Sequence, residues 1–106
     1  MLEHLSIQNY ALIDRLEIDL NSGLTAITGE TGSGKSIILG ALGLVLGQRA
    51  DLHTLRDENK KCIIEATFSV HKNRKKYFEE NNLDYYPESI FRREITPSGK
   101  SRSFVN

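Results

Sequence analysis

Apolar and polar residues alternate along much of this chain, and one stretch breaks the alternation. Leu5 and Ile7 fall on one side of a run from Leu2 to Asn9, the two-residue period of a strand with one buried face. Leu12, Leu16, Ile18 and Leu20 then alternate with Ile13, Arg15, Glu17 and Asp19, which predicts a second strand with a wet face, antiparallel to the first. Asn21-Ser22-Gly23 supplies a turn, and Leu24-Thr25-Ala26-Ile27-Thr28 is a short β-rich run expected to enter the central sheet. From Ser36 to Leu46 the period is lost. Ile37, Ile38, Leu39, Ala41, Leu42, Leu44, Val45 and Leu46 place apolar groups on nearly every side of a helix, the pattern of a buried one. Gly40 and Gly43 each cost that helix about 1 kcal/mol relative to Ala, and close packing against a neighbouring strand accounts for them. Gly47 is placed to cap its C-terminus.

The second half returns to alternation. Gln48 to Lys61 is polar and charged and reads as an exposed loop. Cys62, Ile64, Ala66, Phe68 and Val70 alternate with Ile63, Glu65, Thr67 and Ser69 in a further strand. His71 to Asn82 predicts a short polar helix around Tyr77 and Phe78, and strands over Ser89–Thr96 and Ser101–Val105 flank Pro97-Ser98-Gly99-Lys100. Proline followed by glycine within such a short link predicts a hairpin turn.

Composition narrows the picture in a few places. The 106 residues suffice for one small domain with a modest core. Fourteen basic and 14 acidic side chains cancel, so no global field favours nucleic acid. The single cysteine, Cys62, excludes an internal disulfide framework and fits a reducing cytosol; its place in an alternating run makes it a small buried hydrophobe. Ile37 to Leu46, the longest apolar run, is too short to cross a membrane, and Glu3 interrupts any signal-peptide pattern. The expected location is therefore cytoplasmic, with no membrane partner. His4 and His53 lack the neighbours of a structural metal site.

The chemistry is concentrated in Gly29-Glu30-Thr31-Gly32-Ser33-Gly34-Lys35-Ser36, a complete G-x-x-x-x-G-K-[ST] loop. Its glycines let the backbone curl around a phosphate without a Cβ penalty, and the curled backbone presents N–H groups as an anion nest. The following helix aims the positive end of its dipole at the same place. Lys35 is the candidate ligand of the β- and γ-phosphates and Ser36 of Mg²⁺, which makes ATP with Mg²⁺ the expected ligand pair. Glu30 and Thr31 either contact the nucleotide or only shape the loop. The order strand, loop, helix is the one this motif requires. Ser98-Gly99-Lys100-Ser101 repeats its tail, but Glu94 stands where a glycine is needed, Pro97 precedes it and no apolar helix follows. It is rejected as a second nucleotide site.

Hydrolysis needs more than the loop. A P-loop ATPase completes Mg²⁺ coordination with an acidic residue at the end of a second apolar strand and positions a water. No apolar run ending in Asp-Glu follows the loop, and no S-G-G signature occurs. No catalytic residue is therefore assigned, and the chain alone is not expected to turn over ATP well.

This combination resembles the N-terminal segment of the RecN family of DNA repair proteins, relatives of the SMC proteins. The resemblance runs nearly end to end. It rests on Leu5-Ser6-Ile7-Gln8-Asn9-Tyr10-Ala11-Leu12-Ile13, on Gly23 through Leu39, and on Leu46-Gly47-Gln48-Arg49-Ala50-Asp51. Glu65-Ala66-Thr67-Phe68 and Ser101-Arg102-Ser103-Phe104-Val105-Asn106 continue it. The Gly-Glu-Thr-Gly opening is more telling than the generic loop, since most SMC-like heads resemble Gly-x-Asn-Gly there. The family usually has Ala at the position of Ser33.

The resemblance implies an α/β fold of the P-loop NTPase type, the N-terminal lobe of an ABC/SMC head. A mixed β-sheet would surround the buried helix that follows the phosphate loop. It also implies that residues 1–106 are one lobe of a split head. The signature, the acidic strand and a coiled coil would belong to a further part of a longer protein. Two heads would sandwich ATP in a head-to-head homodimer acting on DNA in double-strand break repair, at the bacterial nucleoid.

Other residues carry two readings each. Arg49 and Arg56 match the place of a loop that in such heads carries an arginine near DNA or the partner's ATP; the plainer reading is solvated surface charge. Lys72, Arg74, Lys75 and Lys76 with His71 either meet DNA phosphates or form a solvated helix face. Tyr10 either stacks on adenine or packs in the core. At the level of function, the alternatives are a head of another ABC-type ATPase, RecF-like or from a transporter, and a non-catalytic nucleotide-binding module.

Overall fold

In the computed structural model the described residues are 2–20, 32–50 and 54–106, with side chains of 32–36 outside the description. The turn at Asn21–Gly23, the run Leu24–Thr28, the Gly29–Thr31 half of the phosphate loop, Asp51 and His53 lie outside the described residues. Five strands form one sheet: β1 (Leu2–Tyr10), β2 (Ile13–Asp19), β3 (Cys62–Ser69), β4 (Glu88–Ile95) and β5 (Ser101–Val105). Their order is β2-β1-β3-β4-β5. Every pairing among the described strands is antiparallel. The predicted strand that would make the sheet mixed is Leu24–Thr28.

The alternation read from sequence sets the register. Leu5 lies opposite Ile18 on one side and Ala66 on the other, and Ile7 lies between Leu16 and Ile64. Cys62 faces Ile95 across β3 and β4. A shared period of two puts these side chains on one face. Helix α1 (Gly32–Val45) packs on that face and contributes Ala41, Leu44 and Val45 to a core with Leu5, Ile7, Ile18, Leu55, Cys62, Ile64, Ala66 and Ile95. Phe68 and Phe91 extend it with an edge-to-face ring contact at 5.4 Å. The opposite face is polar. There Arg92 pairs with Glu65 and with Glu94, the latter at 2.8 Å, and Lys61 reaches Glu94 at 3.7 Å. The hydrogen bond from Arg92 holds the Glu94 carboxyl below its ordinary pKa.

Several expectations shift. The helix starts at Gly32 and not at Ser36, so the Gly-Ser-Gly segment is taken into the first turn, where N–H groups lack intrahelical acceptors anyway. It is also not buried all round. Leu39 is 63% exposed and Leu46 62%, because the sheet covers only one side of α1. Leu12 leaves the strand for the β1–β2 turn and is 82% exposed. Ile13, placed on the wet face by strict alternation, packs against the core instead.

The segment 48–61 is less loop-like than its polarity suggests. Leu55 is buried, bridges to Tyr10, and belongs to the core. The expected helix over His71–Asn82 is a 3₁₀ turn (Lys72–Arg74) followed by α2 (Lys75–Glu80), with only Phe78 buried. Pro97–Lys100 is a hairpin turn in which Thr96 and Lys100 exchange hydrogen bonds and Gly99 has φ 91°, so the repeated Ser-Gly-Lys-Ser is turn structure. Among the described residues no helix is long and apolar enough to cross a membrane.

Candidate functional site

The site is organised by α1. Of the eight loop residues, Gly29, Glu30 and Thr31 lie outside the described residues, while Gly32, Ser33, Gly34, Lys35 and Ser36 form the backbone of the helix's first turn. The first N–H groups of any α-helix lack intrahelical partners, and this turn contains no acidic residue. A helix start of this kind favours an anion.

The far end of α1 is closed. Gly47 N–H donates to Leu44 O at 3.1 Å and Gln48 N–H to Gly43 O at 3.0 Å, the paired bonds of a Schellman motif with Gly47 at φ 109°. Gly47 thus caps the helix as its position in the sequence implies. A methyl at Gly43 would meet the end of the flexible Gln48 side chain and no strand, so close packing against a strand does not account for this glycine. The last turn has no basic residue of its own. Arg93, from β4, supplies the cation. It is 8% exposed, and its Nη1 donates to Leu44 O at 2.7 Å and to Gln48 O at 3.0 Å. Its Nε donates to Ser101 Oγ at 2.6 Å. A cation at a helix C-terminus stabilises by about 0.3–1 kcal/mol when exposed and up to about 2 kcal/mol when partly buried.

The end of β1 ties a third piece to this frame. Asn9 is 5% exposed and sits at φ 54°, a left-handed conformation that asparagine tolerates. Its Nδ2 donates to Asp57 O and Lys60 O, both at 2.9 Å, and its Oδ1 accepts from Asp57 N–H at 2.6 Å. Ala11 N–H adds a bond to Thr54 O at 2.7 Å. Next to Asn9, Tyr10 packs beside the core and its hydroxyl lies against Gly40 of α1, where a methyl would collide. Burial, with a smaller contribution from Cys62, raises the Tyr10 pKa. Tyr10 therefore serves packing in this structure, and Gly40 is the close approach to a strand expected from sequence.

Arg49 is exposed just beyond the C-terminal end of α1. Arg56 stands at the β1–β2 turn, 3.8 Å from Asp14, with both side chains half or more exposed; such a pair adds little stability. In the basic cluster, Lys75 and Lys76 pair with Glu79 and Glu80 at 3.9 Å, the spacing of a solvated helix face. His71 caps the 3₁₀ turn by accepting at Nδ1 from Asn73 N–H.

Asn9 and Arg93 were not legible as site residues. Nothing in their local sequence separates a buried polar anchor from a surface one, because the backbone groups they hold stand 45 to 52 residues away.

Comparison with known proteins follows this geometry closely. A family model described as the AAA domain matches residues 4–103. The DNA repair protein RecN of Vibrio cholerae is 44% identical over 108 residues, covering 100% of this chain and 20% of the relative. The chain thus spans about a fifth of the length of such relatives. A solved structure from work on ATP-driven dimerization and DNA-stimulated activation of SMC ATPases superposes with a TM-score of 0.71 at 23% identity. That superposition covers 99% of this chain and 69% of the other. The recombination mediator RecF, solved with ATPrS, gives 0.66 at 14% identity over 100% of this chain and 26% of its own. These two likenesses concern the fold, which is that of an SMC-type or RecF-type ATPase head.

Proposed function

Because the chain belongs to the AAA domain family and is similar to RecN proteins along its whole length, we propose that residues 1–106 form the N-terminal lobe of a split ATPase head acting in DNA double-strand break repair and recombination. The observation that carries this reading is the start of α1 inside the phosphate-loop motif, with a first turn free of carboxylates. The Gly29–Ser36 backbone would wrap the phosphates of ATP, with Lys35 paired to the β- and γ-phosphates. Ser36 would hold Mg²⁺, which supplies neutralisation of the charge on those phosphates. Glu30 and Thr31 would shape the loop's entry.

The lobe binds and orients; it lacks the acidic strand and the signature that hydrolysis requires. Its own C-terminal lobe and a second head, joined head to head across ATP, would supply them. Arg49, exposed beyond the C-terminal end of α1, would meet DNA or the opposite head. The expected location is the bacterial cytoplasm, at the nucleoid.

The test is Mg·ATP binding and hydrolysis by the full-length protein and its Lys35→Ala variant. Turnover and affinity should both collapse in the variant, and unchanged values would sink the assignment. Calorimetry on the 106-residue chain alone separates this from a self-sufficient binding module. Weak or absent ATP binding is expected, because the nucleotide shell is incomplete.

A further inference from the structure

The buried arginine at the closed end of α1 has no place in the nucleotide chemistry described so far. From its geometry we infer that Arg93 is a positioning residue for the phosphate loop, acting through α1, with Ser101 as its own anchor. The inference rests on the nucleotide-binding reading above.

Three observations carry it. First, Arg93 bonds the helix and the residue beyond its cap together, through Leu44 O and Gln48 O, while α1 has no basic residue in its last turn. The cation that a helix end favours comes from a strand. Second, the guanidinium is itself fixed. Its Nε is held by the Ser101 hydroxyl on β5, and Ser103 is the residue paired with Arg93 across β4 and β5. The planar fork of arginine fixes direction as well as distance. Third, the helix is short and rigid, so an angular error at Leu44 carries to the loop end about 20 Å away. Anion binding by backbone N–H groups depends on where that end points.

The Ser-Gly-Lys-Ser segment rejected as a nucleotide site enters here in another capacity. Its turn sets Ser101 at the start of β5, and Ser101 holds the arginine that holds the helix. The β4–β5 hairpin is thereby connected to the phosphate loop through Arg93 and α1.

The experiment uses full-length protein and reads KM against kcat for ATP. Arg93→Met removes the charge and the fork at similar length. KM should rise roughly tenfold with kcat at saturation within about twofold. Arg93→Lys restores the cation without the fork and should recover part of that loss. Ser101→Ala removes only the anchor and should raise KM roughly threefold, which keeps the test open if Arg93→Met fails to fold. A merely structural role would lower kcat, through fewer active molecules, at unchanged KM. That result, or unchanged KM in Ser101→Ala and Arg93→Lys together, overturns the inference. Wild-type protein that neither binds nor hydrolyses ATP would overturn the nucleotide reading and this inference with it, whereas normal wild-type kinetics beside a silent Arg93 series overturns the inference alone.

Discussion

At its N-terminal end α1 starts inside a motif visible in the sequence and carries no carboxylate in its first turn. At its C-terminal end the carbonyls of Leu42, Gly43 and Leu44 all accept hydrogen bonds, Leu44 takes a further one from Arg93, and no motif announces any of it. The first end is of the kind that an anionic ligand completes. The second is satisfied by the protein so that the helix does not move. Chemical specificity and mechanical hold are thus separated along one helix. Asn9 belongs with the second kind: a buried polar side chain that fastens 54–61 to the end of β1.

The largest test of this division is at the open end. Lys35→Ala should lower Mg·ATP affinity by about a hundredfold or more while leaving the melting temperature of the free protein within about 2 °C. A variant that binds poorly because it is unfolded would break the comparison, since the open end would then be structural as well. The next largest effect is at Asn9. Asn9→Ala leaves Asp57 N–H and three carbonyls without their partner and should destabilise by about 2–3 kcal/mol in urea unfolding. A loss below about 0.5 kcal/mol would mean that water replaces the side chain and that the fastening is nominal.

What could be read in the sequence follows the range of the interactions. Cys62, Ile64 and Ala66 are buried as their alternation requires, because the period of a strand is a local property. Gly47 and the Pro97–Lys100 turn are legible for the same reason. The phosphate loop is legible because its chemistry needs particular residues at fixed spacing. Arg93 and Asn9 are not, since a polar residue is buried only when distant backbone supplies its partners. Polarity alone made 48–61 an exposed loop, yet Leu55 is a core residue there. Apolarity alone made α1 buried all round, yet one sheet face covers only one side of a helix, and Leu39 and Leu46 stay exposed.

Gly47 tests the closed end at smaller scale. Its φ of 109° is a conformation that an L side chain adopts only with strain, and nothing lies near enough for a methyl to clash. Gly47→Ala should therefore cost about 1 kcal/mol through the backbone alone. ATP affinity should hold, because Arg93 still grips Leu44 and Gln48. A tenfold loss of affinity in Gly47→Ala would shift the positioning role from the arginine to the cap.

The smallest effect concerns Cys62, which lies in the core against which α1 packs. Burial pushes its thiol from 9.0 up to about 11. A raised folded-state pKa contributes stability that is complete below the unfolded value of 9.0 and is lost as pH climbs through about 11. Between these limits the unfolded chain releases a proton that the folded one keeps, so stability should fall with pH. Cys62→Ala should flatten that slope without removing it, because Tyr10, whose pKa is also raised by burial, contributes in the same direction. At neutral pH the native thiol should resist alkylation and react only after unfolding. Rapid labelling of folded protein at neutral pH would show that the sheet and α1 part easily, and a helix that lifts from its sheet could not transmit a hold from Leu44 to the phosphate loop.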